Sequence, residues 1–351
     1  MMNICKVLGL GIPVGFLFEF LQVPLPWTLG PIVGVSLYSW KTGQRIYWPL
    51  KIRDTALILL GYAMGRPFTI ETGHKIIDQL PMMLCATLIT VFAGVVIGYI
   101  THKKTNISLT TCLLGCVPGG LSQMVVLAGE MDGTDQTAVT IMQTIRMLSV
   151  VFVIPFLTMH VLHDGNLSMA EAAANMPAAS LTTIFVFSCV AIGGAVLGRI
   201  VHLPTAYLLG PILSTGFYIL LTGAEAPIVP ISYISIAQIC VGSYIGSSIN
   251  LAKIKQYHGL LSCLFSGVGV VLLISLLMGY IVAELTGVAF VTAFLSTAPG
   301  GLTEMGITAL LVGADISTMT AYQLVRLLFI MLAFPYIAQV FVMLFDKKVT
   351  V

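Results

Sequence analysis

The chain has 351 residues, 58% of them hydrophobic and 9% charged, with a mean hydropathy of +1.01 and a formal net charge of +2. A soluble domain of this size would lack the charged surface that water requires, so composition alone places the chain in a bilayer as an all-α polytopic membrane protein. The sparse charge forms no basic patch, which argues against direct nucleic acid binding, and seven scattered cysteines without CxxC spacing read as small hydrophobes rather than a disulfide framework.

The first hydrophobic segment spans residues 4–22. Glu19 ends its run and no small-x-small cleavage pattern follows, so it reads as a retained first helix rather than a secretory leader. The second, 26–40, is short and contains Gly30-Pro31. A residue before proline is biased away from the helical region, and both a broken helix and a kinked one anchored by Trp27 at an interface fit the pattern. The third, 54–68, holds Gly61-x-x-x-Gly65, read as a close helix contact. The fourth, 79–101, contains the uncharged run Leu80 to Ile100, 21 residues, enough to cross a hydrocarbon core of ~30 Å at ~1.5 Å per residue.

The fifth segment, 108–128, carries Pro118-Gly119-Gly120-Leu121-Ser122-Gln123-Met124. Proline removes a backbone donor and glycine has no side chain to hold a helix, so the run must interrupt whatever helix contains it. Backbone groups freed at membrane depth need protein or water as partners. Such a break forms either a substrate or ion site, with a new half-helix pointing its positive end at an anion, or a kink that only shapes packing. The sixth segment, 136–159, places Gln143 and Arg146 on one helical face, the arginine eleven residues past Asp135 and therefore ~16 Å along the helix. A charge near mid-membrane costs at least ~2.5 kcal/mol on insertion scales and needs a partner or a wet cavity. Arg146 either grips a substrate carboxylate, or serves as a structural ion pair or a cap on the carbonyl ends of the broken helix. His160-x-x-His163-Asp164 has ligand-like spacing but lies in a loop without a counterpart, and no metal site is assigned to it.

From about residue 180 to 345 the same six segments return. Pro24 to Pro31 matches Pro204 to Pro211, and Gln143 to Arg146 matches Gln323 to Arg326, both at an offset of 180; Gly61-x-x-x-Gly65 matches Gly242-x-x-x-Gly246 at 181. The break returns as Pro299-Gly300-Gly301-Leu302-Thr303-Glu304-Met305, and Asp315 repeats Asp135. The uncharged run Leu260 to Ala283 occupies the place of Leu80 to Ile100. The chain thus divides into a first membrane repeat (1–165), a linker (166–177) and a second membrane repeat (178–351). One difference matters: Glu304 takes the position of Gln123, where it can pair with Arg326 or carry a coupling proton. Arg146 has no acidic partner in its own half, which makes the first half the better anion-site candidate.

Six spans per half would make the repeats parallel, whereas a re-entrant Pro-Gly-Gly segment leaves five and inverts them. Cytoplasmic loops accumulate Lys and Arg. With the N-terminus cytoplasmic, the inverted reading puts twelve of the fourteen Lys and Arg outside the core on the inside, leaving only Arg66 and Lys75 outside; the parallel reading gives nine against five. The expected fold is two inverted-topology repeats, each of about five spans plus a broken or re-entrant Pro-Gly-Gly segment. Both termini are then cytoplasmic and the 166–177 linker external.

The duplicated Pro-Gly-Gly-Leu-Ser/Thr-Gln/Glu-Met segment, Gly313-Ala314-Asp315, Gln323-x-x-Arg326 and the early Leu29-Gly30-Pro31 together resemble the bacterial membrane AbrB family, also called the AbrB duplication or ammonia monooxygenase regulator family. The resemblance covers both halves. It implies a polytopic inner-membrane protein with a role in regulation of gene expression. The first copy departs from the pattern at Cys116-Val117, where the second has Thr297-Ala298, and at Met131-Asp132-Gly133, so equal function of the two copies is not implied.

The reading that follows is a bacterial inner-membrane secondary transporter or exporter of a small, anionic solute, with any gene regulation indirect. The alternative is a membrane sensor that affects gene expression through a partner without transport. The expected solute or ion site comprises Pro118, Gly119, Gly120, Ser122, Gln123, Gln143 and Arg146 with Pro299, Gly300, Gly301, Thr303, Glu304, Asp315, Gln323 and Arg326. No nucleophile and base pair, metal cluster or cofactor motif stands out, so no enzyme activity, metal or cofactor is expected. The partners are the bilayer and the solute, with homo-oligomerisation left open.

Overall fold

In hydrocarbon every backbone N–H and C=O must be satisfied within its own segment or by protein around it, and a chain this apolar answers with helices. The computed structural model describes residues 2–44, 46–68, 70–105, 107–131, 133–162, 180–203, 205–249 and 258–345, and contains no strand among them. His163, Asp164 and the 166–177 linker lie outside the described residues, as do the side chains of Ser122 and Gln123.

Among the described residues fourteen helices form, seven in each half of the chain. They are α1 (Met2–Phe20), α2 (Pro26–Thr42), α3 (Leu50–Gly65), α4 (Ile70–Lys104), α5 (Leu109–Cys116), α6 (Leu121–Glu130) and α7 (Gln136–His160), then α8 (Leu181–Ile200), α9 (Ala206–Thr222), α10 (Ile231–Ser248), α11 (His258–Thr286), α12 (Phe290–Thr297), α13 (Leu302–Val312) and α14 (Ile316–Phe345). Among the described residues five stretches are long and apolar enough to cross a membrane: Gly73–Lys104, Gln136–His160, Leu181–Ile200, Gly259–Thr286 and Ile316–Phe345. Helices α2 and α9 have 17 residues each, or about 25 Å.

Several backbone features recur at equivalent sequence positions. The left-handed residues Gln22 and Leu25 between α1 and α2 return as His202 and Thr205 between α8 and α9, and the left-handed caps Gly43 and Gly133 return as Gly223 and Gly313. At the end of α1 the Val23 N–H bonds Phe18 O at 2.8 Å, and at the end of α8 the Leu203 N–H bonds Gly198 O at 2.8 Å.

At Gly30-Pro31 and Gly210-Pro211 the broken-helix alternative gives way to the kinked one, since α2 and α9 run through Pro31 and Pro211. The glycines serve close approach instead. A Cβ at Gly30 would stand 2.5 Å from the Gly15 backbone, and one at Gly210 would stand 2.2 Å from Gly194 O.

The described chain gathers into two compact units, each drawing on both repeats. The first comprises Met1–Ile77, Pro155–Leu251 and Thr303–Thr318. In it α2 packs between α1 and α10, while α9 packs between α8 and α3. Each short second helix therefore lies on its own first helix and on the third helix of the other repeat. The glycine pairs make these crossings close: a Cβ at Gly242 would sit 2.3 Å from Thr28 O, and one at Gly61 would sit 2.5 Å from Leu208 O, its repeat equivalent. Both glycine pairs are thus close helix contacts, as their spacing predicts.

The second unit comprises Asp78–Ile154, Ala252–Leu302 and Met319–Val351. Here the half-helix α5 lies on α4, where a Cβ at Gly98 would come within 3.0 Å of Cys112 O, and α12 lies on α11, where one at Gly279 would come within 2.9 Å of the Phe294 Cα. Leu113, Leu114, Val117 and Met124 of the first repeat share a buried core with Ile330 and Phe334 of α14.

Candidate functional site at the two helix breaks

Any helix leaves its last four carbonyls without intrahelical donors, and in this chain two helices end in the protein interior. The first break lies between α5 and α6. Val117 is extended (φ −72°, ψ 134°), Gly119 N–H closes a tight turn onto Val117 O at 2.9 Å, and Gly120 takes φ +81°, which favours glycine. A Cβ at Gly119 would reach within 2.8 Å of Ile330 on α14, so the break is also packed from outside. The second break, between α12 and α13, repeats the turn: Ala298 is extended (φ −62°, ψ 137°) and Gly300 N–H bonds Ala298 O at 2.9 Å. Gly301 does not take the positive φ of Gly120.

The carbonyl ends are closed by the glutamine and arginine of the following long helix. From α7, Gln143 Nε2 donates to Leu114 O at 2.6 Å and Val117 O at 3.0 Å, and Arg146 Nη1 donates to Val117 O at 2.8 Å. From α14, Gln323 Nε2 donates to Leu295 O at 2.8 Å and Ala298 O at 3.1 Å. Arg326 Nη1 donates to Ala298 O at 2.6 Å and more weakly to Thr297 O at 3.5 Å, and its Nη2 donates to Gly300 O at 3.1 Å and to Gln323 Oε1. Of the roles open to Arg146 and Arg326 in the sequence, the cap on the broken helix is therefore occupied in both repeats. The three-residue spacing of Gln and Arg makes it work, because one helical face presents amide and guanidinium to adjacent carbonyls.

The two caps are not equally full. Arg326 is 6% exposed and its two terminal nitrogens meet four oxygens; Arg146 is half-buried, its Nε is buried without an acceptor, and Gln143 Oε1 is buried without a donor. Two like charges held by neutral oxygens leave local positive charge at mid-helix.

A family model described as "Transition state regulatory protein AbrB" matches residues 8–342, nearly the whole chain. The chain belongs to the AbrB family. It is 26% identical over 338 residues to "Putative regulator AbrB" of Escherichia coli (strain K12), covering 95% of this chain and 94% of that protein. It is 24% identical over 343 residues to "Uncharacterized protein YhjN" of Bacillus subtilis (strain 168), covering 92% and 88% respectively. The AbrB resemblance read from the duplicated break and its trailing residues is thereby shown.

Other expected site residues of this AbrB-family chain take separate places. Thr303 and Glu304 stand in the first turn of α13, Glu304 buried at 7% exposure, where the helix dipole favours a carboxylate. Asp315 is the N-cap of α14: its carboxylate accepts from the N–H and hydroxyl of both Ser317 and Thr318, at 2.6 to 3.3 Å. Partial burial pushes the Asp315 carboxyl up, but these four hydrogen bonds more than offset it and hold the group below its usual range. Asp135 caps α7 with one oxygen, accepting from Thr137 and Ala138 N–H at 2.9 and 3.0 Å.

Sequence reading missed two sets of residues. Thr297 Oγ1 donates to Ser275 O at 2.9 Å and Ser275 Oγ donates to Thr297 O at 3.3 Å, which ties the end of α12 to α11 beside the second break. In the first repeat Cys116 and Gly94 occupy these places, and Gly94 packs on Val117 instead. Tyr322 and Thr320, on α14 beside Gln323, are buried with hydroxyls that have no hydrogen-bond partner. The signal for both sets was polar side chains inside apolar helices next to the break or to Gln-x-x-Arg.

Proposed function

We propose that this AbrB-family protein is a secondary transporter or exporter of a small anionic solute in the bacterial inner membrane. It is built as two inverted-topology repeats of about five spans, each with a re-entrant Pro-Gly-Gly segment. The observation that carries the reading is the spare capacity of Arg146. A buried guanidinium nitrogen without an acceptor is costly, and at an interrupted helix it suits an arriving carboxylate or other oxyanion. Interrupted intramembrane helices in both halves are where carriers of other folds bind solute. Glu304, buried where the first repeat has Gln123, is the candidate proton carrier.

The test is anion flux into vesicles reconstituted with the whole protein, with folded protein quantified in parallel. Arg146→Gln should abolish flux while folded yield stays near wild type, and Arg146→Lys should keep partial activity because it restores charge without a bidentate grip. Glu304→Gln should weaken the dependence of flux on a pH gradient more than solute binding. Wild-type flux in Arg146→Gln would defeat the site. The inverted topology predicts that a cysteine placed at Asn166 is labelled from outside the cell; labelling only from inside would defeat it.

A second reading has one specific support, the description of the Escherichia coli relative as a regulator. In that reading a membrane sensor acts on gene expression through a partner. Absence of flux for every anion, together with partner capture that depends on the intact breaks, would favour it.

A further inference from the structure

We propose that Arg326 and Arg146 are built-in counter-cations, which permanently fill the positions at the two helix breaks that a coupling Na⁺ would otherwise take, so that this protein binds its solute without Na⁺. The inference rests on the carrier reading only for the word coupling; the occupied cation position is read from the geometry alone.

A helix C-terminus carries roughly half a negative charge. In carriers with interrupted helices, half-helix C-terminal ends and unwound carbonyls are what coordinate Na⁺ or H⁺. Both ingredients recur in this chain, with a different occupant. Around Arg326 stand three backbone oxygens of the α12 end and the following turn, Thr297 O, Ala298 O and Gly300 O, together with Gln323 Oε1. That is an oxygen-only shell of the kind a hard monovalent cation takes. Its cation is a guanidinium carried by α14. At the first break Arg146 donates to one carbonyl, Val117 O, and the Gln143 and Gln323 amides take further carbonyls that a free ion would need. A tethered cation neutralises the carbonyl ends as an ion would, yet it cannot leave, so a Na⁺ gradient can do no work through these positions.

The experiment uses the full chain in detergent or nanodiscs and reads melting temperature and direct ²²Na⁺ binding in NaCl against choline chloride at equal ionic strength. Wild type should bind no ²²Na⁺ and melt at the same temperature in both salts. Arg326→Ala and Arg146→Ala should melt lower than wild type and recover by about 2–4 °C when Na⁺ or low-millimolar guanidinium refills the vacated shell. Saturable Na⁺ binding by wild type, or a rise of its melting temperature in Na⁺, would overturn the inference. So would folded alanine variants that respond to neither cation. If Arg326→Ala does not fold, the half-buried Arg146→Ala and the two wild-type measurements decide. Failure of the carrier reading looks different: no anion flux, with Na⁺ indifference and cation rescue both intact. Na⁺-stimulated anion flux would overturn this inference and leave the carrier reading standing.

Discussion

At the second break Arg326 meets four oxygens and is 6% exposed, whereas at the first Arg146 meets one carbonyl, is half-buried and keeps a nitrogen without an acceptor. The Pro-Gly-Gly run, its glycine-to-carbonyl turn and the Gln-x-x-Arg of the following helix recur at both. The neighbours differ: Ser275 and Thr297 bind each other beside the second break, Gly94 packs on Val117 beside the first, and Gln323 Oε1 turns towards Arg326 while Gln143 Oε1 finds no donor. Duplication supplied two copies of one device. In one the arginine is saturated, and in the other it keeps a nitrogen without an acceptor.

The largest effect expected from breaking this contrast is on the saturated copy. Arg326→Met leaves the Ala298 and Gly300 carbonyls without their charged donor, at a cost of roughly 3–5 kcal/mol. Arg146→Met removes a donor from one carbonyl and also removes the unsatisfied Nε, so it should cost only about 1–3 kcal/mol. Thermal melting of the purified protein ranks the two, and an Arg146→Met that melts lower than Arg326→Met would reverse the assignment of saturated and unsaturated arginine. Next in size, Gly242→Ala and Gly61→Ala should each cost about 1–3 kcal/mol by overpacking. Their Cβ atoms would stand 2.3 and 2.5 Å from equivalent carbonyl oxygens. Equivalent close crossings predict near-equal losses, measured as melting temperature, in contrast to the unequal arginines.

The smallest effect concerns the caps of the two arginine helices. Asp315 accepts from the N–H and hydroxyl of Ser317 and Thr318, and Asp135 accepts from the N–H of Thr137 and Ala138. Asp315→Asn should therefore destabilise by about 0.5–1 kcal/mol at neutral pH, solvent screening holding it to the lower part of the range for caps. The sign with pH follows from the lowered carboxyl. Its contribution is fully present above the unfolded value of 3.8 and is lost as pH falls through the lower folded value. Melting curves of wild type and Asp315→Asn should converge in acid and separate above about pH 5; a gap that widens in acid would rule out the charged cap.

Much of the fold was legible before any coordinates. Segments expected at 26–40, 79–101 and 136–159 fall on α2, α4 and α7, and the expected interruption at Pro118 to Gly120 separates α5 from α6. Prolines, glycines and long apolar runs act on their own few residues, so sequence reports them directly. Gly30-Pro31 was ambiguous because one proline in a helix can bend it or end it; α2 runs on through Pro31, with Gly30 set close against Gly15 of α1. The arginine caps were legible as one of several roles, since a buried charge must find partners but spacing cannot say which.

Sequence by itself determined that this is an all-helical membrane chain in two copies, with a helix break and a buried arginine in each, because local covalent and hydration energetics dictate those features residue by residue. Tertiary structure alone decided that second helices of one repeat lie on third helices of the other, and that Arg326 is saturated while Arg146 is not. Both depend on which carbonyls and side chains distant segments bring together, and hydrogen bonds act only over the last ångströms of that approach.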